Sequence, residues 1–190
     1  MKRMPKFSTI ILVASVILFP FSGWAEMGHH GGGSHGDHGE HHHMETDGHR
    51  RVMEEVYGGY FAIQASLAES SMEKVPTRAQ SIAEEIERFR DESVETDGHG
   101  HRDEMHALVT EMGTAAGALA KQKDITSARK KFGTLSEKLA EYHKNHGRDH
   151  STKAHVFVCD MAKQVWLQDS EELRNPYFGS SMLKCGRKMQ

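Results

Sequence analysis

The chain of 190 residues holds two cysteines, and each lies close to a methionine. Cys159 is followed by Met161, and Cys185 is preceded by Met182, while His155 lies just upstream. Thiolate and thioether sulfurs are soft ligands that favour Cu(I), and the same softness favours Ag(I). A Cys-x-Met spacing delivers both sulfurs to one ion where the backbone bends between them. We therefore predict a soft-metal site formed by these five side chains.

A disulfide between Cys159 and Cys185 is the competing interpretation of the same residues. An even number of cysteines in an oxidising compartment favours a disulfide. It would close a loop of roughly 25 residues and stabilise the fold by about 3 kcal/mol. A third interpretation combines the two, because a reversible disulfide would release the metal on oxidation. The residues alone leave all three open.

Histidine is the second unusual component, with 15 residues in the chain. Residues 26–48 combine histidine and glycine with no aliphatic or aromatic side chain, so they are predicted to be disordered. Neutral imidazole binds copper, zinc and nickel, and such a tail would bind them weakly and unselectively. The alternative is a solvated linker. The candidate ligands of the tail are His29, His30, His35, His38, His41, His42 and His43.

The other histidines lie near the predicted ends of helices. In an up-down-up-down arrangement, the first and third helices begin at the pole where the second and fourth end. Seven further histidines would then lie at that end of the bundle. They would either bind metal or simply be exposed to water. The set is His49, His99, His101, His106, His143, His146 and His150.

Four apolar stripes with helical spacing cover residues 49–142 and predict the fold. Together they indicate an all-α domain over residues 49–190, an antiparallel four-helix bundle with a short C-terminal segment. Asp124 is the predicted N-cap of the fourth helix, Thr77 and Gln80 form a capping box for the second, and a short helix is expected around Trp166. The stripes consist of Val52, Val56, Tyr60, Ile63 and Leu67, then Ile82, Ile86 and Phe89, then Met105, Leu108, Met112, Ala115 and Leu119, and finally Ile125, Ala128, Phe132, Leu135, Leu139 and Tyr142.

Residues 1–25 have the pattern of a secretory signal peptide. Three basic residues precede an apolar run, and Gly23 and Ala25 are small residues at the −3 and −1 positions of a cleavage site. The run is shorter than the roughly 20 residues of a spanning helix. We expect cleavage after Ala25, a periplasmic protein and no stable membrane insertion after cleavage. A retained N-terminal anchor is the alternative.

Two classes of function are disfavoured by the composition and motifs. A net charge of −3 at pH 7 argues against a nucleic-acid partner, which a basic patch would bind. The sequence contains no His-Glu-x-x-His, Gly-x-Ser-x-Gly, haem-attachment or phosphate-loop motif. We therefore expect no enzymatic activity.

The segment CDMAKQVWLQDSEELRNPYFGSSMLKCG, residues 159–186, resembles the C-terminal signature of the domain-of-unknown-function 3347 family. Residues 60–71 resemble the opening helix of that family, and residues 128–142 resemble its last bundle helix. The resemblance covers about residues 52–188. The matching positions of the signature are Cys159, Met161, Ala162, Trp166, Asn175, Pro176, Tyr177, Gly179, Met182, Cys185 and Gly186.

The resemblance implies copper or silver handling in the periplasm. Family members occur as separate exported proteins and attached to adaptor subunits of heavy-metal efflux pumps, so metal ions and an efflux adaptor are the implied partners. Asp160 replaces a proline of the family pattern, and the stretch between Ala162 and Trp166 is shorter than usual. We expect a protein of heavy-metal resistance that buffers or hands over Cu(I) or Ag(I), with zinc and nickel as further ions. The alternative is a disulfide-stapled interaction module. The segment Asn175–Gly179 is expected to be a structural turn with aromatic anchors that holds Cys185 near Cys159. Trp166 is expected to pack, and Gly186 to belong to the same structural motif.

Overall fold

The computed structural model describes residues 39–93, 100–147 and 152–189, and it describes side chains for residues 48–90, 104–147 and 152–189. Four helices make up most of these residues, and a small antiparallel sheet follows them. The helices are α1 (Gly39–Ala68), α2 (Val75–Ser93), α3 (Gly100–Ala120) and α4 (Ile125–His146), and the strands are β1 (His155–Cys159), β2 (Gln164–Gln168) and β3 (Arg187–Lys188).

The helical stripes of the sequence form the hydrophobic core, as predicted. Nearly all of the stripe residues are buried, while Met105 and Ile125 are partly buried against the same cluster. Met53 and Met112 are fully buried among them, so these helical methionines pack as apolar side chains. Phe157, Trp166 and Leu167 of the sheet belong to the same core. Helices and sheet are therefore one packed structure.

Helix boundaries follow the sequence signals in some places and depart from them in others. Asp124 caps α4 by accepting a hydrogen bond from the Ser127 N–H at 2.9 Å, as predicted. Helix α2 begins at Val75, so Thr77 lies inside its first turn and Gln80 donates to Glu84 at 2.7 Å instead of closing a capping box. Helix α1 begins at Gly39, inside the segment predicted to be disordered. Once a helix is nucleated by packing, each added residue gains a hydrogen bond, which carries it into polar sequence.

Helices α1 and α4 are joined by a reciprocal pair of histidine–tyrosine hydrogen bonds. His49 of α1 bonds to the hydroxyl of Tyr142 at 2.7 Å, and Tyr57 of α1 bonds to Nδ1 of His143 at 2.9 Å. The His49 ring also packs on Phe89 near the end of α2, with centroids 5.3 Å apart. The part of α1 around His49, ten residues after the helix begins, therefore lies beside the ends of α2 and α4.

His106, in the second turn of α3, packs edge-on against Phe89 at 5.6 Å. These contacts bring His49 and the N-terminal part of α3 into one region with the ends of α2 and α4. We call this region, defined by His49, Phe89, His106, Tyr142 and His143, the histidine pole.

The sheet corrects the prediction of an all-α fold. Its strand order is β2-β1-β3, with β1 antiparallel to both neighbours. Phe157 pairs with Trp166, so the segment around Trp166 is a strand and the predicted short helix is wrong. Valine and aromatic side chains at alternate positions favour a pleated surface, and pairing with β1 satisfies the backbone groups of β2.

A buried tyrosine and a partly buried arginine attach the sheet and the following loop to the helices. Tyr60 of α1 bonds to Ser136 of α4 at 2.7 Å, and its hydroxyl accepts the Leu167 N–H of β2 at 3.2 Å. Arg129 of α4 donates to the carbonyls of Pro176 at 2.9 Å and Leu67 at 3.1 Å. The C-terminal segment is thus fixed to both α1 and α4.

None of the helices in the described ranges is long and apolar enough to cross a membrane.

Candidate functional site

Three sulfur atoms lie together where β1 ends. Cys159 is the last residue of β1 and is fully buried. Its Sγ lies 3.2 Å from Sγ of Cys185, which in turn lies 3.8 Å from Sδ of Met161. Both cysteines are free thiols in this structure. We call Cys159, Met161 and Cys185 the sulfur cluster.

The loop Asn175–Gly179 holds Cys185 against the end of β1. Asn175 is fully buried, and its Nδ2 donates to the Cys185 carbonyl at 2.5 Å. Its Oδ1 accepts the N–H groups of Tyr177 at 2.7 Å and Phe178 at 3.2 Å, which closes the turn. Asn175–Gly179 is therefore a turn in this structure.

Trp166 packs beneath Gly186, the residue that follows Cys185. It is fully buried, stacks on Phe157 with centroids 5.4 Å apart, and meets the edge of Tyr177 at 6.0 Å. Gly186, which follows Cys185, has φ +137° and would place a Cβ 2.7 Å from the Trp166 ring. A side chain at residue 186 would therefore clash with the Trp166 ring and the Val158 carbonyl. Trp166 thus packs in the core, and Gly186 lies against it.

The two thiols have different environments. Burial raises the pKa of Cys159, but hydrogen bonds from the backbone N–H groups of Ala162 and Met161 and from Cys185 and Asn175 outweigh it, so this pKa lies below its usual value. The hydrogen bond to Cys159 raises the pKa of Cys185, with burial and the negative charge of Asp160 acting in the same direction. When the pair loses one proton, Cys159 therefore loses it before Cys185 does.

One edge of the sulfur cluster faces solvent. The Met161 side chain is 66% exposed, and Cys185 is partly exposed, whereas Cys159 is closed off behind them. Met182 contributes the carbonyl that accepts the Cys185 N–H at 3.0 Å, and its side chain is 38% exposed. An ion can thus reach Cys185 and Met161 directly from water.

His155 is not brought to the sulfur cluster. It begins β1, four residues before Cys159, which places the two Cα atoms about 13 Å apart along the strand. Its Nε2 lies 3.9 Å from a carboxylate oxygen of Glu171. His155 and Cys159 therefore cannot bind one ion in this arrangement.

The histidine pole and the sulfur cluster lie apart along α4. The Gln164 side chain, on the residue paired with Cys159, packs against Gly133, ten residues before His143. A helix rises 1.5 Å per residue, so these two levels are about 15 Å apart. An ion cannot pass from His143 to Cys159 in a single ligand exchange.

The described histidines of the pole are engaged with aromatic side chains. His49 and His143 bond to tyrosines as described above, and His146 packs on Tyr142 with centroids 5.2 Å apart. Side chains of His41, His42, His43 and His101 are not described, although these residues lie in α1 and α3. The predicted ligands His29, His30, His35, His38, His99 and His150 lie outside the described residues, as do residues 1–25, predicted to be a signal peptide, and residues 26–38.

No group of three or more His, Cys, Asp and Glu side chains able to hold a metal ion occurs among the described residues. The third partner of the cysteine pair is instead the thioether of Met161. Two thiol sulfurs and one thioether form a donor set with no oxygen or nitrogen, the kind that soft ions accept. The arrangement can chelate one such ion or, after losing two electrons, close a disulfide.

Arg129 is a supporting residue that the sequence does not distinguish from other basic residues of α4. Its contacts with the Pro176 and Leu67 carbonyls fix the loop that carries Asn175, and burial lowers its guanidinium pKa. An arginine on a helix usually indicates a solvated face, so only the tertiary structure reveals this role.

Comparison with known proteins matches residues 56–151 to the family described as proteins of unknown function, DUF3347. The match covers the region from α1 to just beyond α4 and ends before Cys159. No curated protein matches the chain, and no solved structure matches it. Because the match spans about half of the sequence, the chain belongs to the DUF3347 family of proteins of unknown function.

Proposed function

We propose that this protein binds one soft monovalent metal ion, Cu(I) or Ag(I), at Cys159, Cys185 and Met161, and that it buffers or hands over the ion in the periplasm. The observation that carries the proposal is the sulfur cluster, with separations of 3.2 Å and 3.8 Å between residues 24 to 26 positions apart. Sulfur-only donor sets favour Cu(I) over harder ions.

The accessibility of the cluster supports release as well as capture. Cys159 is buried while Met161 is largely exposed, so an incoming ligand can displace the thioether before the thiolates. Stepwise replacement of ligands suits a protein that passes its ion onward. The recipient we propose is a heavy-metal efflux adaptor, which the family resemblance suggests.

The scaffold that we propose is an antiparallel four-helix bundle. Contacts of His49 with Phe89 and Tyr142, and of Phe89 with His106, support this arrangement. We propose that the histidine-rich residues 26–48 act as a separate, weaker set of ligands, because imidazole nitrogens suit zinc, nickel and copper alike and are not selective for soft ions. Zinc and nickel would bind there rather than at the sulfur cluster.

A competition titration tests the proposal. Reduced mature protein, beginning at Glu26, is titrated anaerobically with Cu(I) against a tight chromophoric chelator. The matched control is the Cys159→Ser/Cys185→Ser double variant, which keeps every histidine. We expect one equivalent to be withheld from the chelator by the wild type and none by the double variant. Equal retention by the two proteins would move metal binding to the histidines and overturn the proposal.

A further inference from the structure

The two cysteines of the sulfur cluster are unequally accessible, and this asymmetry has a redox consequence. Cys159 is fully buried at the end of β1, whereas Cys185 is partly exposed in the loop that precedes β3. A thiol in water can therefore reach the Cys185 sulfur and not the Cys159 sulfur. Buried cysteines are inert to exchange, while accessible ones react.

We propose that a low-molecular-weight disulfide RSSR switches the sulfur cluster off by accepting two electrons from Cys159 and Cys185, which join as a disulfide while two RSH are released. Low-molecular-weight thiols switch the cluster on by attacking Cys185, with Cys159 as the leaving sulfur. This inference rests on the proposed function, since what is switched is the metal site. Oxidation removes both thiolate ligands and leaves only the thioether of Met161.

The geometry requires little movement for the disulfide to form. The Sγ atoms lie 3.2 Å apart, compared with a bond length of about 2.05 Å in a disulfide. Cys159 is anchored by β1 pairing, so the approach comes from the loop that carries Cys185. That loop is held through the Asn175 amide and through the Cys185 N–H, which donates to the Met182 carbonyl.

Reduction proceeds in two balanced steps. A thiolate RS⁻ attacks Sγ of Cys185, an R–S–S–Cys185 bond forms, the Cys159–Cys185 bond breaks, and its electron pair leaves on Cys159. The backbone N–H groups of Met161 and Ala162 face this sulfur and stabilise the departing charge. A second RS⁻ attacks the external sulfur, releasing RSSR and the Cys185 thiolate. The two electrons come from the added thiol.

Mixed-disulfide mapping on metal-free mature protein tests the order of attack. Cys159→Ser leaves Cys185 as the single thiol, and Cys185→Ser leaves Cys159. Each folded variant is treated with oxidised glutathione and analysed by mass spectrometry. We expect the Cys185 thiol to react at least about tenfold faster, with the Cys159 thiol reacting only in denaturant. Equal rates in the folded variants, or a faster Cys159, would overturn the proposal.

A measurement on the reduced wild type covers the case in which a variant fails to fold. Substoichiometric iodoacetamide followed by peptide mapping must label Cys185 before Cys159. First labelling of Cys159 would again overturn the order of attack.

The switch itself is tested by comparing Cu(I) affinities of oxidised and glutathione-reduced wild type. We expect oxidation to weaken binding at least about 100-fold, because both thiolates are lost, and reduction to restore it. Equal affinity in the two states overturns the switch while leaving metal binding intact. Absence of binding by the reduced protein overturns the proposed function and the switch with it, whereas the attack order stands on metal-free protein.

Discussion

The side-chain amide of Asn175 donates to the backbone carbonyl of Cys185 at 2.5 Å, across ten residues of sequence. This hydrogen bond ties the end of the C-terminal loop to its beginning. It sets the position from which the Cys185 sulfur meets those of Cys159 and Met161. The sulfur cluster therefore depends on a residue that offers it no ligand atom.

Replacing Asn175 by Ala should lower both stability and metal affinity. The change leaves the Cys185 carbonyl and the N–H of Tyr177 without their partner, which we expect to lower the free energy of unfolding by about 3 kcal/mol. Denaturant unfolding followed by Trp166 fluorescence measures this loss. Ser180→Ala, at an exposed residue of the same loop, is the control and should change the stability by less than about 0.5 kcal/mol. A small effect of Asn175→Ala would show that the loop is held without the amide.

The thioether of Met161 should contribute directly to metal affinity. We expect Met161→Leu to weaken Cu(I) binding by more than about tenfold, since even outer-shell partners of metal sites are worth 10–100-fold. The control is Met189→Leu, which removes an exposed thioether from the same segment and should leave the affinity unchanged. Chelator competition measures both. If the two variants bind alike, Met161 is not a ligand.

Glycine at residue 179 should be required by the backbone. Its φ is +57°, and an added Cβ would lie 2.9 Å from the Leu67 carbonyl oxygen and closer still to Arg129 and Ser70. We expect Gly179→Ala to destabilise the fold by about 2 kcal/mol or more. Gly58→Ala is the contrast, because a Cβ there meets nothing within 4 Å on helix α1 and should stabilise by up to about 1 kcal/mol. Thermal unfolding measures both variants. A Gly179→Ala variant that unfolds at the same temperature as Gly58→Ala, or at a higher one, would contradict the prediction.

The His143–Tyr57 contact should make stability depend on pH. Burial lowers the pKa of His143 below its usual value of 6.5, so the unfolded chain takes up a proton on acidification before the folded chain does. Its contribution to stability is complete above about pH 6.5 and is lost progressively as the pH falls below that value. Glutamine keeps a hydrogen-bonding group but does not titrate, so we expect the stability of His143→Gln to decrease less steeply as the pH is lowered. Urea midpoints from pH 7.5 to 5 compare the two proteins, and parallel curves would contradict this assignment.

The helical part of the fold could be predicted because its signals are local. Apolar residues at helical spacing require one buried face, and the side chains of Val56, Ile63 and Leu139 are buried accordingly. The Asp124 cap is equally local, since the acceptor and the donor are three residues apart. The beginning of α1 at Gly39 could not be predicted in this way, because the polar residues there include no apolar side chains at helical spacing.

The sheet and the details of the site could not be predicted in the same way. A five-residue run such as Gln164–Gln168 fits a strand or a helix turn, and only pairing with β1 decides between them. The spacing of Cys159 and Cys185 suggests a shared site but not which methionine joins it. Met161 does so because the turn after β1 returns its sulfur toward Cys185, a tertiary contact.

The most direct test of Cu(I) binding by the sulfur cluster is X-ray absorption at the copper edge. The sample is the reduced mature protein with one equivalent of Cu(I). The sulfur cluster predicts a first shell of sulfur scatterers without the multiple-scattering pattern of imidazole. It also predicts the loss of that shell in the Cys159→Ser/Cys185→Ser variant. A first shell dominated by imidazole nitrogen in the wild type would contradict the account and assign the ion to histidine.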